Sequence, residues 1–532
     1  MVGYVSAYQR SLLDPAVFSI SWELVPGRGA FEPAQEEVVR SAEAAAKGGL
    51  VHALTLTDNP GGNPAISAEM LGTEISRLGV EPLVHFTCKD KNRNQLEALL
   101  YGLERATVRN FLVMSGDYTY TGYQGRSKPV FDLDPTQLLD LVTQLNRGLE
   151  LPLVRRVTRL TETHFFAGAV VSPFKQSEAE LMTQYYKLGK KLRAGAQFIV
   201  TQLGYDARKL HEALLMVRRL CDANDLDSVP LVGSIYVLTR GVARPMHRNR
   251  LPGCVVTDAM LAQVENEGAG ARGREAALER AARMYALLKG MGYDGVHIGG
   301  HGLSYDDVAS IVQQGEELAP NWLELVPQFN YPQPNGWYYF ELNPKTKLNL
   351  ERPAGRDKRS GFHLGYWMLR SLGKAMFNNR GPLFRPMRYL AQQIDGTRLE
   401  RPMTRLEHIT KVITNECLHC GDCALQDVAY LCVTSQCPKG ERNGPCGGSF
   451  EGWCEVYPDT KKCIYVRAYQ RLNRYGEEDT LGAYQVPAVN YDLLWTSSWL
   501  NFFLGRDHTA RRLGVPPFQG KKTASGAADG AG

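Results

Sequence analysis

Eight of the eleven cysteines in this 532-residue chain lie within one short stretch, and thiolates are soft metal ligands. The stretch begins Cys-Leu-His-Cys-Gly-Asp-Cys, and its eight cysteines are Cys417, Cys420, Cys423, Cys432, Cys437, Cys446, Cys454 and Cys463. Two Cys-x-x-Cys steps in a row place three thiolates on one tight loop, which suits a metal ion or an iron–sulfur cluster. Eight thiolates are enough for two four-cysteine sites. The tight spacing favours 4Fe–4S clusters, and structural zinc, which also takes four cysteines, is the alternative.

The remaining composition is that of an ordinary enzyme without a nucleic-acid partner. The formal charge is only +5 at pH 7, and no run of Lys and Arg stands out. Residues 1–13 lack the basic start and apolar core of a secretory signal, and no apolar run is long enough to span a bilayer. Disulfides would need an oxidising compartment, which nothing in the sequence indicates. We therefore expect a cytoplasmic protein whose clustered cysteines bind metal.

Eight apolar runs of strand length alternate with amphipathic segments between about Val17 and Gln314. The runs are 17–24, 51–57, 82–87, 110–115, 164–171, 197–203, 229–237 and 295–299. Helical patterns between them include 34–47, 94–106, 177–194, 209–223 and 276–291. This alternation predicts an α/β fold, a parallel (β/α)8 TIM barrel. A doubly wound open sheet is the alternative, but no Gly-x-Gly-x-x-Gly follows the first run.

Barrel enzymes place their chemistry at the carboxyl-terminal ends of the strands, and several polar residues lie at those positions here. They are Glu23, Thr57, His85, Asp117 and Gln202. Glu23 stands between Trp22 and Leu24, so loss of solvent could raise its pKa and make it a proton donor. A glutamate in a salt bridge at the mouth of the barrel is the alternative.

The other strand-end residues carry weaker signals when each is taken alone. Asp117 follows Ser115 and Gly116, where a glycine lets the backbone approach a ligand, and a fixed negative charge there could stabilise a cation or tune a flavin. A turn or helix-cap aspartate is the alternative. His85 on an apolar strand is more often a satisfied core histidine than a ligand. Gln202 offers both a donor and an acceptor, which suits a heterocycle.

The predicted order of domains is a catalytic barrel, a connector, a cysteine-rich domain and a tail. The barrel covers 1–318, and an irregular connector rich in Pro, Gly, Asn and aromatic residues covers 319–406. The small cysteine-rich metal-binding or iron–sulfur domain covers 407–513, and a disordered tail covers 514–532. Residues 520–532 are rich in Gly, Ala and Ser, and we expect them to be disordered.

The first 300 or so residues resemble the methylenetetrahydrofolate reductase family. The similar segments are Phe18–Pro26, Leu54–Thr57, His85–Cys88, Ser115–Asp117 and Ala194–Gln202. The resemblance implies a (β/α)8 barrel that holds FAD and reduces 5,10-methylenetetrahydrofolate to 5-methyltetrahydrofolate in one-carbon metabolism and methionine biosynthesis. It implies that Glu23 is the acid that opens the folate ring to an iminium and that Asp117 stabilises this cation. It further implies that Gln202 binds folate and that Thr57 and His85 contact the flavin.

The chain departs from the familiar family pattern near the flavin. Many members carry Arg where this chain has Ser115, and well-known members carry Tyr and His where this chain reads Ala169–Lys175. We expect Lys175 and Lys191 to supply the missing positive charge. The resemblance implies cofactor contacts for Ser115, Gly116 and Asp117 as well.

The cysteine-rich stretch resembles the C-terminal domain associated with some of these reductases. The similarity rests on Cys417–Cys423, Cys437–Gly440 and Asn443–Gly448. In acetogenic bacteria a similar domain is a separate subunit with iron–sulfur clusters, although zinc has also been reported. The resemblance implies that hydride passes from flavin N5, with electrons from NAD(P)H or from an electron-carrier protein through the clusters.

A folate- or corrinoid-linked methyltransferase on a TIM barrel, with a zinc-stapled docking module, is the alternative function for the whole chain. The sequence allows a homo-oligomer.

Three further features receive simpler interpretations. His297 and His301 follow a strand rather than a helix, so we expect them to line the mouth of the barrel and not to bind zinc. The basic stretch Arg240–Arg250 is interpreted as a solvated loop, with the polyglutamate tail of a folate as the alternative partner. Outside the cluster, Cys221 and Cys254 are interpreted as plain thiols, as is Cys88.

Overall fold

The computed structural model describes residues 5–153, 156–356 and 359–519. The chain divides into two compact units that interleave along the sequence. The first is Met1–Lys358 with Asn443–Val466, and the second is Arg359–Arg442 with Arg467–Gly532. The predicted domain boundaries therefore stay predictions, and the predicted disordered end at 520–532 lies outside the described residues.

Short apolar stretches, several of them rich in β-branched and aromatic residues, form the strands of the barrel, and four further strands lie outside it. In chain order these are β1 (Ser19–Leu24), β2 (Ala53–Leu56), β3 (Pro82–Thr87), β4 (Asn110–Met114), β5 (Glu150–Leu153), β6 (Arg156–Arg159), β7 (Phe166–Val171), β8 (Phe198–Thr201), β9 (Leu231–Tyr236), β10 (Gly295–Gly299), β11 (Phe340–Leu342) and β12 (Asn349–Pro353). Eight of them close a parallel barrel in the order β1-β10-β9-β8-β7-β4-β3-β2. Two antiparallel pairs, β5 with β6 and β11 with β12, lie outside it. The predicted eight-stranded barrel is confirmed.

Helices follow the barrel strands, and the five predicted helical patterns each coincide with one of them. The helices of the first unit are α1 (Ala7–Leu13), α2 (Pro33–Gly48), α3 (Ala68–Ser76), α4 (Arg93–Arg105), α5 (Pro135–Asn146), α6 (Glu178–Arg193), α7 (Ala207–Ala223), α8 (Arg240–His247), α9 (Asp258–Glu267), α10 (Gly270–Met291) and α11 (Tyr305–Leu318), with 3-10 turns at Pro60–Gly62 and Ala319–Phe329. Several begin at a side chain that accepts a backbone N–H, as Asp134 does for α5 and Asp206 does for α7. These caps fix where each helix leaves the strand-end loops.

An apolar layer fills the amino-terminal end of the barrel, and α1 seals it. Tyr8 and Leu12 of α1 are 1% and 3% exposed, and they pack against residues near the strand starts such as Leu83, Phe166 and Phe198. The Tyr8 ring meets the Phe198 ring edge-on with centroids 5.8 Å apart. With this end filled by apolar side chains, polar strand residues collect at the carboxyl-terminal mouth.

The second unit is mostly helical. Its helices are α12 (Leu364–Met376), α13 (Phe384–Ile394), α14 (Glu400–Asn415), α15 (Val433–Gln436), α16 (Ile464–Asn473), α17 (Thr480–Ala483), α18 (Ser498–Phe503) and α19 (His508–Arg512), with 3-10 turns at Leu425–Val428 and Tyr491–Leu493; α16 begins in the first unit. Phe384 of α13 packs with Phe502 and Phe503 of α18 in its core. None of the helices that the structure describes is both long and apolar enough to cross a bilayer.

The second half of the predicted connector is helical, which the sequence analysis did not predict. It contains α12, α13 and the start of α14. On α12 the apolar residues Leu364, Trp367 and Met368 recur at the i, i+3, i+4 spacing of one helix face. The helical period was therefore present in the sequence, although these three residues are exposed within the described part of the chain.

Candidate functional site

At the carboxyl-terminal mouth of the barrel, Glu23 of β1 meets His85 of β3 and His297 of β10. His297 Nε2 lies 3.5 Å from Glu23 Oε2. One ligand atom from each of the three residues lies within 4.8 Å of the other two. His297 is held from its other side, where Nδ1 lies 3.3 Å from Ser21 Oγ and 3.2 Å from Thr55 Oγ1. The imidazole is therefore fixed with Nε2 toward the carboxylate.

Burial and charge act in opposite directions on the Glu23 carboxyl. Burial alone would raise its pKa, but the hydrogen bond and charge of His297, and then the charge of His85, hold the pKa of Glu23 below its usual value. Burial also lowers the pKa of His85 to about 4, so this ring is neutral near pH 7 and His297 is the partner that matters there. The expectation of a raised pKa for Glu23 is wrong. His297 therefore favours the ionised form of the Glu23 carboxyl.

Three polar atoms at the mouth are buried and have no hydrogen-bond partner among the described residues. They are Thr57 Oγ1, His85 Nε2 and Ser172 Oγ. Thr57 follows β2, His85 lies in the second half of β3, and Ser172 follows β7. An unsatisfied buried polar group costs about 1–3 kcal/mol, and in a native protein it points to a ligand or an ordered water. These atoms fit a planar polar ligand that brings its own donors and acceptors.

Asp117 lies in the loop after β4, in a tight turn that begins at Ser115. Its Oδ2 accepts a hydrogen bond of 2.7 Å from the backbone N–H of Gly61, and the side chain is exposed. Gly116 has a φ of +81°, and a Cβ at that position would lie 2.6 Å from Lys89 Cδ. Only glycine fits there, and the turn therefore fixes where Asp117 stands.

Gln202 and the loop after α8 meet at the same mouth. Gln202 follows β8, its Oε1 accepts from the next backbone N–H at 2.9 Å, and a Cβ at Gly253 would lie 3.2 Å from its Nε2. Burial, and then the charges of Asp117 and Glu23, raise the pKa of Cys254 to about 12. The predicted folate ligand Gln202 therefore lies against this loop, and both predicted catalytic carboxylates are near enough to raise the pKa of Cys254.

Lys175 and Lys191, predicted to supply positive charge to a flavin, are buried and donate to backbone carbonyls. Lys175 Nζ lies 2.7 Å from the Gly447 oxygen and 2.5 Å from the Ser449 oxygen. Lys191 Nζ lies 2.6 Å from the Val170 oxygen. Their contribution to cofactor binding stays a prediction.

The segment Asn443–Val466, called the mouth segment below, belongs to the barrel unit. Asn443 donates two hydrogen bonds, of 2.9 and 2.8 Å, to Asp134 at the start of α5. Gln184 of α6 donates to the Cys446 oxygen at 2.7 Å. The mouth segment carries Cys446, Cys454 and Cys463. The clustered cysteines are thus divided between the two units.

Two of the three cysteines of the mouth segment, Cys446 and Cys463, lie near the buried Lys175. Cys446 Sγ is 3.4 Å from Glu455 Oε2. Burial, opposed by backbone hydrogen bonds and supported by the charge of Cys454, raises the pKa of Cys463 to about 11. Burial lowers the pKa of Lys175, and neighbouring negative charges that include Cys446 and Cys463 oppose this. Deprotonated thiols here would face a fixed ammonium group.

Four other cysteines line one small cavity of about 30 Å³ in the second unit: Cys417, Cys420, Cys423 and Cys432. Lys411 Nζ lies 3.7 Å from Cys423 Sγ, and the backbone N–H of His419 donates to Cys417 Sγ at 3.3 Å. Burial, opposed by Lys411 and reinforced by neighbouring thiols, raises the pKa of Cys423 to about 12. A bound metal would lower the pKa of Cys423 instead, because metals bind the thiolate form of cysteine. The remaining clustered thiol, Cys437, also belongs to the second unit.

The partnership of His297 with Glu23 is the functional contact that the sequence did not indicate. The prediction that His297 lines the mouth agrees with its position, but its pairing depends on the register that sets His297 beside Ser21 where β10 closes onto β1. The available signal was topological, because the last strand of a closed barrel lies beside the first.

Two family models match the chain. The model described as methylenetetrahydrofolate reductase matches residues 9–300, and the model described as methylene-tetrahydrofolate reductase C terminal matches residues 397–492. The first match spans more than half of the chain. In the comparison with curated proteins, none matches the chain.

Solved structures resemble the chain only distantly. A protein from Clostridium thermocellum, titled as binding two copies of 5-methyl-5,6,7,8-tetrahydrofolic acid, is 12% identical over 59% of this chain and 100% of its own, with a TM-score of 0.41. A Yersinia pestis DHPS with a pterine-sulfa conjugate is 10% identical over 57% and 95%, with a TM-score of 0.32. A putative deoxyribose-phosphate aldolase from Toxoplasma gondii is 11% identical over 58% and 96%, with a TM-score of 0.29. Likenesses this distant say nothing about ligand or reaction.

Proposed function

Since the chain belongs to the methylenetetrahydrofolate reductase family, we propose that it reduces 5,10-methylenetetrahydrofolate to 5-methyltetrahydrofolate with a bound flavin. The observation that carries the proposal is the cluster of Glu23, His297 and His85 at the mouth of the barrel, beside buried polar atoms that lack partners. Ring opening of the folate needs a proton donor, and reduction needs a polar cavity that positions the reacting carbon.

The folate ring has to open before its methylene carbon can accept a hydride. Protonation of N10 breaks the bond between N10 and the methylene carbon, and the electron pair stays on N10 while the carbon becomes part of an N5=CH2 iminium ion. We assign delivery of this proton to Glu23, the role that the resemblance implies, because its carboxyl lies at the mouth, 3.5 Å from His297 Nε2. His297, held at Nδ1 by Ser21 and Thr55, keeps Nε2 directed at the carboxylate throughout.

Asp117 and Gln202 are assigned to the substrate. The Asp117 carboxylate, fixed by the Gly61 N–H, places a negative charge at the mouth, where it would stabilise the iminium ion. Gln202 presents an amide beside Gly253, and an amide can pair with the donor and acceptor edge of a pterin. Both residues keep the roles that the resemblance implies.

The donor set at the mouth fits a flavin, and we infer FAD. Thr57 Oγ1 and His85 Nε2 are buried and lack partners, so they can bind the polar edge of an isoalloxazine ring without displacing an existing bond. Ser115 and Gly116 lie in the adjacent turn after β4 and are assigned to the same group. When bound, the flavin supplies from N5 the hydride that completes the methyl group.

We infer that the four-cysteine cavity of the second unit holds a 4Fe–4S cluster that feeds electrons to the flavin, with NAD(P)H as the alternative reductant. Its four thiols match the four-cysteine ligand set of such a cluster, which structural zinc also takes. Lys411 beside Cys423 would balance part of the cluster's negative charge.

The proposal is tested by purifying the protein without oxygen and recording its absorption spectrum, its iron and zinc content, and its turnover of 5,10-methylenetetrahydrofolate. We expect flavin bands, stoichiometric iron and formation of 5-methyltetrahydrofolate with a reduced electron carrier. Cys420→Ser should remove the iron of one site, whereas Cys221→Ser, which alters a buried thiol of α7, should remove none.

Other outcomes separate the alternatives. Flavin with zinc alone would overturn the cluster and leave a reductase that NAD(P)H reduces directly. A protein that binds folate but no flavin, even after reconstitution, would overturn the reductase and favour the folate- or corrinoid-linked methyltransferase.

A further inference from the structure

An open cavity of about 510 Å³ lies in the barrel unit beside α8, and four arginines line it: Arg240, Arg244, Arg248 and Arg250. We call it the arginine pocket; Gly241, Pro245 and Ala269 complete its lining. Arg244 is paired with Glu265 at 2.9 Å. Among the described residues no carboxylate lies within 4.0 Å of Arg240, Arg248 or Arg250. The pocket therefore presents three uncompensated guanidinium groups.

Arg240 and Arg244 stand on α8, and backbone hydrogen bonds tie Arg248 and Arg250, which follow the helix, to Arg244 and Pro245. The interpretation of this stretch as a solvated loop is wrong for Arg240–His247, which forms α8. Ala243 and Met246 on its inner side are buried and pack with Leu238, Val256 and Met260. Because the inner side is anchored, the guanidinium groups project from a rigid base, and less side-chain freedom is lost when an anion binds.

The chain before α8 leads from the proposed catalytic centre. Tyr236 ends β9, and a Cβ at Gly299 would lie 3.1 Å from Glu23 Oε1 and 3.4 Å from Tyr236 Cδ2. Tyr236 is thus a neighbour of the catalytic glutamate. Arg240 is four residues further on, so its Cα lies within about 14 Å of the Tyr236 Cα.

The chain after α8 leads back to the same centre. Gly253 lies against Gln202, and Arg250 precedes Gly253 by three residues, so the two Cα atoms are at most about 11 Å apart. The pocket is thus within reach of an extended ligand whose heterocycle is held at Gln202.

We propose that the arginine pocket binds the γ-linked glutamate chain of a polyglutamylated folate. This inference rests on the proposed folate function. A folate ends in one glutamate, and each further glutamate joined through a γ-carboxyl adds one carboxylate to the chain. A guanidinium group binds a carboxylate through two parallel hydrogen bonds, so a row of arginines matches a row of carboxylates.

The test compares the affinities of monoglutamyl and triglutamyl 5-methyltetrahydrofolate for the holoenzyme by calorimetry. We expect the triglutamyl form to bind about fivefold tighter, because each exposed ion pair contributes modestly. In the double variant Arg248→Ala with Arg250→Ala this preference should fall to about one, with the monoglutamyl affinity unchanged within about twofold. Added salt should weaken the wild-type preference.

A matched control removes the same charge from the opposite end of the barrel. Arg77 and Arg105 are exposed at the ends of α3 and α4, so Arg77→Ala with Arg105→Ala should keep the triglutamyl preference. The proposal is overturned if wild type shows no preference, or if the Arg248 and Arg250 variant retains it. Loss of flavin or NAD(P)H binding in that variant, with the preference kept, would assign the pocket to dinucleotide phosphates instead. If wild type binds neither folate, the proposed function itself has failed.

Discussion

Two histidines of this protein lie among carboxylates, and their surroundings differ. In the second unit His508 Nδ1 lies 2.6 Å from Asp422 Oδ1, and His508 Nε2 lies 3.0 Å from Asp427 Oδ2. Arg442 pairs with Asp422 at 3.4 Å, and Arg512 pairs with Asp427. Both ring nitrogens and both acids thus have partners, and the side chains of the histidine and both acids are almost fully buried.

At the mouth of the barrel the arrangement is incomplete. His297 lies 3.5 Å from Glu23, which remains 20% exposed, and the neighbouring His85 Nε2 and Thr57 Oγ1 are buried without partners. A fully bonded buried network stabilises the fold, whereas a partly bonded one is tolerated where a ligand completes it. The comparison indicates a structural role for His508 and supports the catalytic role proposed for His297.

The largest expected effect is a loss of turnover in the Glu23→Gln variant. Glutamine keeps the size of the side chain but cannot deliver a proton, so reduction of 5,10-methylenetetrahydrofolate should fall about a hundredfold or more. Folate affinity and the thermal midpoint should stay close to wild type, since the network at the mouth is not needed for folding. Glu37→Gln, on the exposed face of α2, is the control and should leave turnover unchanged. Turnover within about twofold of wild type in Glu23→Gln would remove the proton donor from the mechanism.

The second largest expected effect is a loss of stability in the His508→Ala variant. This change leaves Asp422 and Asp427 buried without the imidazole and should lower the free energy of unfolding by about 3 kcal/mol, measured by urea denaturation. The control is His247→Ala, whose exposed pair with Asp258 should contribute less than about 1 kcal/mol. Equal stabilities of the two variants would contradict a structural role for His508.

The same network should depend on pH in a defined direction. Burial alone would lower the pKa of His508, but its hydrogen bonds to Asp422 and Asp427 raise it, so its contribution is full below about pH 6.5 and is lost as pH rises through the raised pKa. Burial alone would raise the pKa of Asp422, but His508 holds it well below its usual value, so its contribution is lost only in strong acid. The difference between wild type and His508→Ala should therefore be largest between about pH 4 and 6.5.

Sequence patterns predicted the barrel and the strand-end residues because both depend on local order. A strand buried on both faces is a continuous apolar run, and the residue after such a run lies at the mouth. Glu23, Thr57 and Gln202 were found in this way. The Cys417–Cys432 cavity was also indicated by spacing, because all of its thiols come from one short stretch.

Contacts between distant parts of the chain were not predictable in the same way. The pairing of His297 with Glu23 depends on the register of β10 on β1. The return of the mouth segment to the barrel depends on single hydrogen bonds, such as those from Lys175 to Gly447 and from Asn443 to Asp134, which leave no periodic trace. The spacing of the cysteines therefore suggested one module where the structure has two groups.

A smaller effect is expected from His297→Asn, which tests whether the incomplete pair controls the proton. Without the imidazole, burial acts on Glu23 unopposed, so the pKa of Glu23 should rise above its usual value instead of lying below it. The basic limb of the pH profile of kcat/KM, which the pKa of the proton donor sets, should therefore move to higher pH. His301→Asn, four residues away and exposed, should leave the profile in place. An unmoved limb in His297→Asn would mean that His297 only lines the mouth.

The smallest expected effect comes from removing a buried hydroxyl that has no hydrogen-bond partner, compared with removing one that is already hydrogen-bonded. Thr57→Val removes an unpartnered buried hydroxyl, so the free energy of unfolding should stay within about 0.5 kcal/mol of wild type or increase, while retention of the flavin on dilution weakens several-fold. Thr509→Val in the second unit removes a hydroxyl that donates to the Cys423 oxygen at 3.4 Å and lies 3.3 Å from His508 Nε2. That change should cost about 1 kcal/mol and leave flavin retention unchanged. The opposite pattern, with stability lost in Thr57→Val and flavin retained, would place an internal partner on the Thr57 hydroxyl and remove it from the cofactor site.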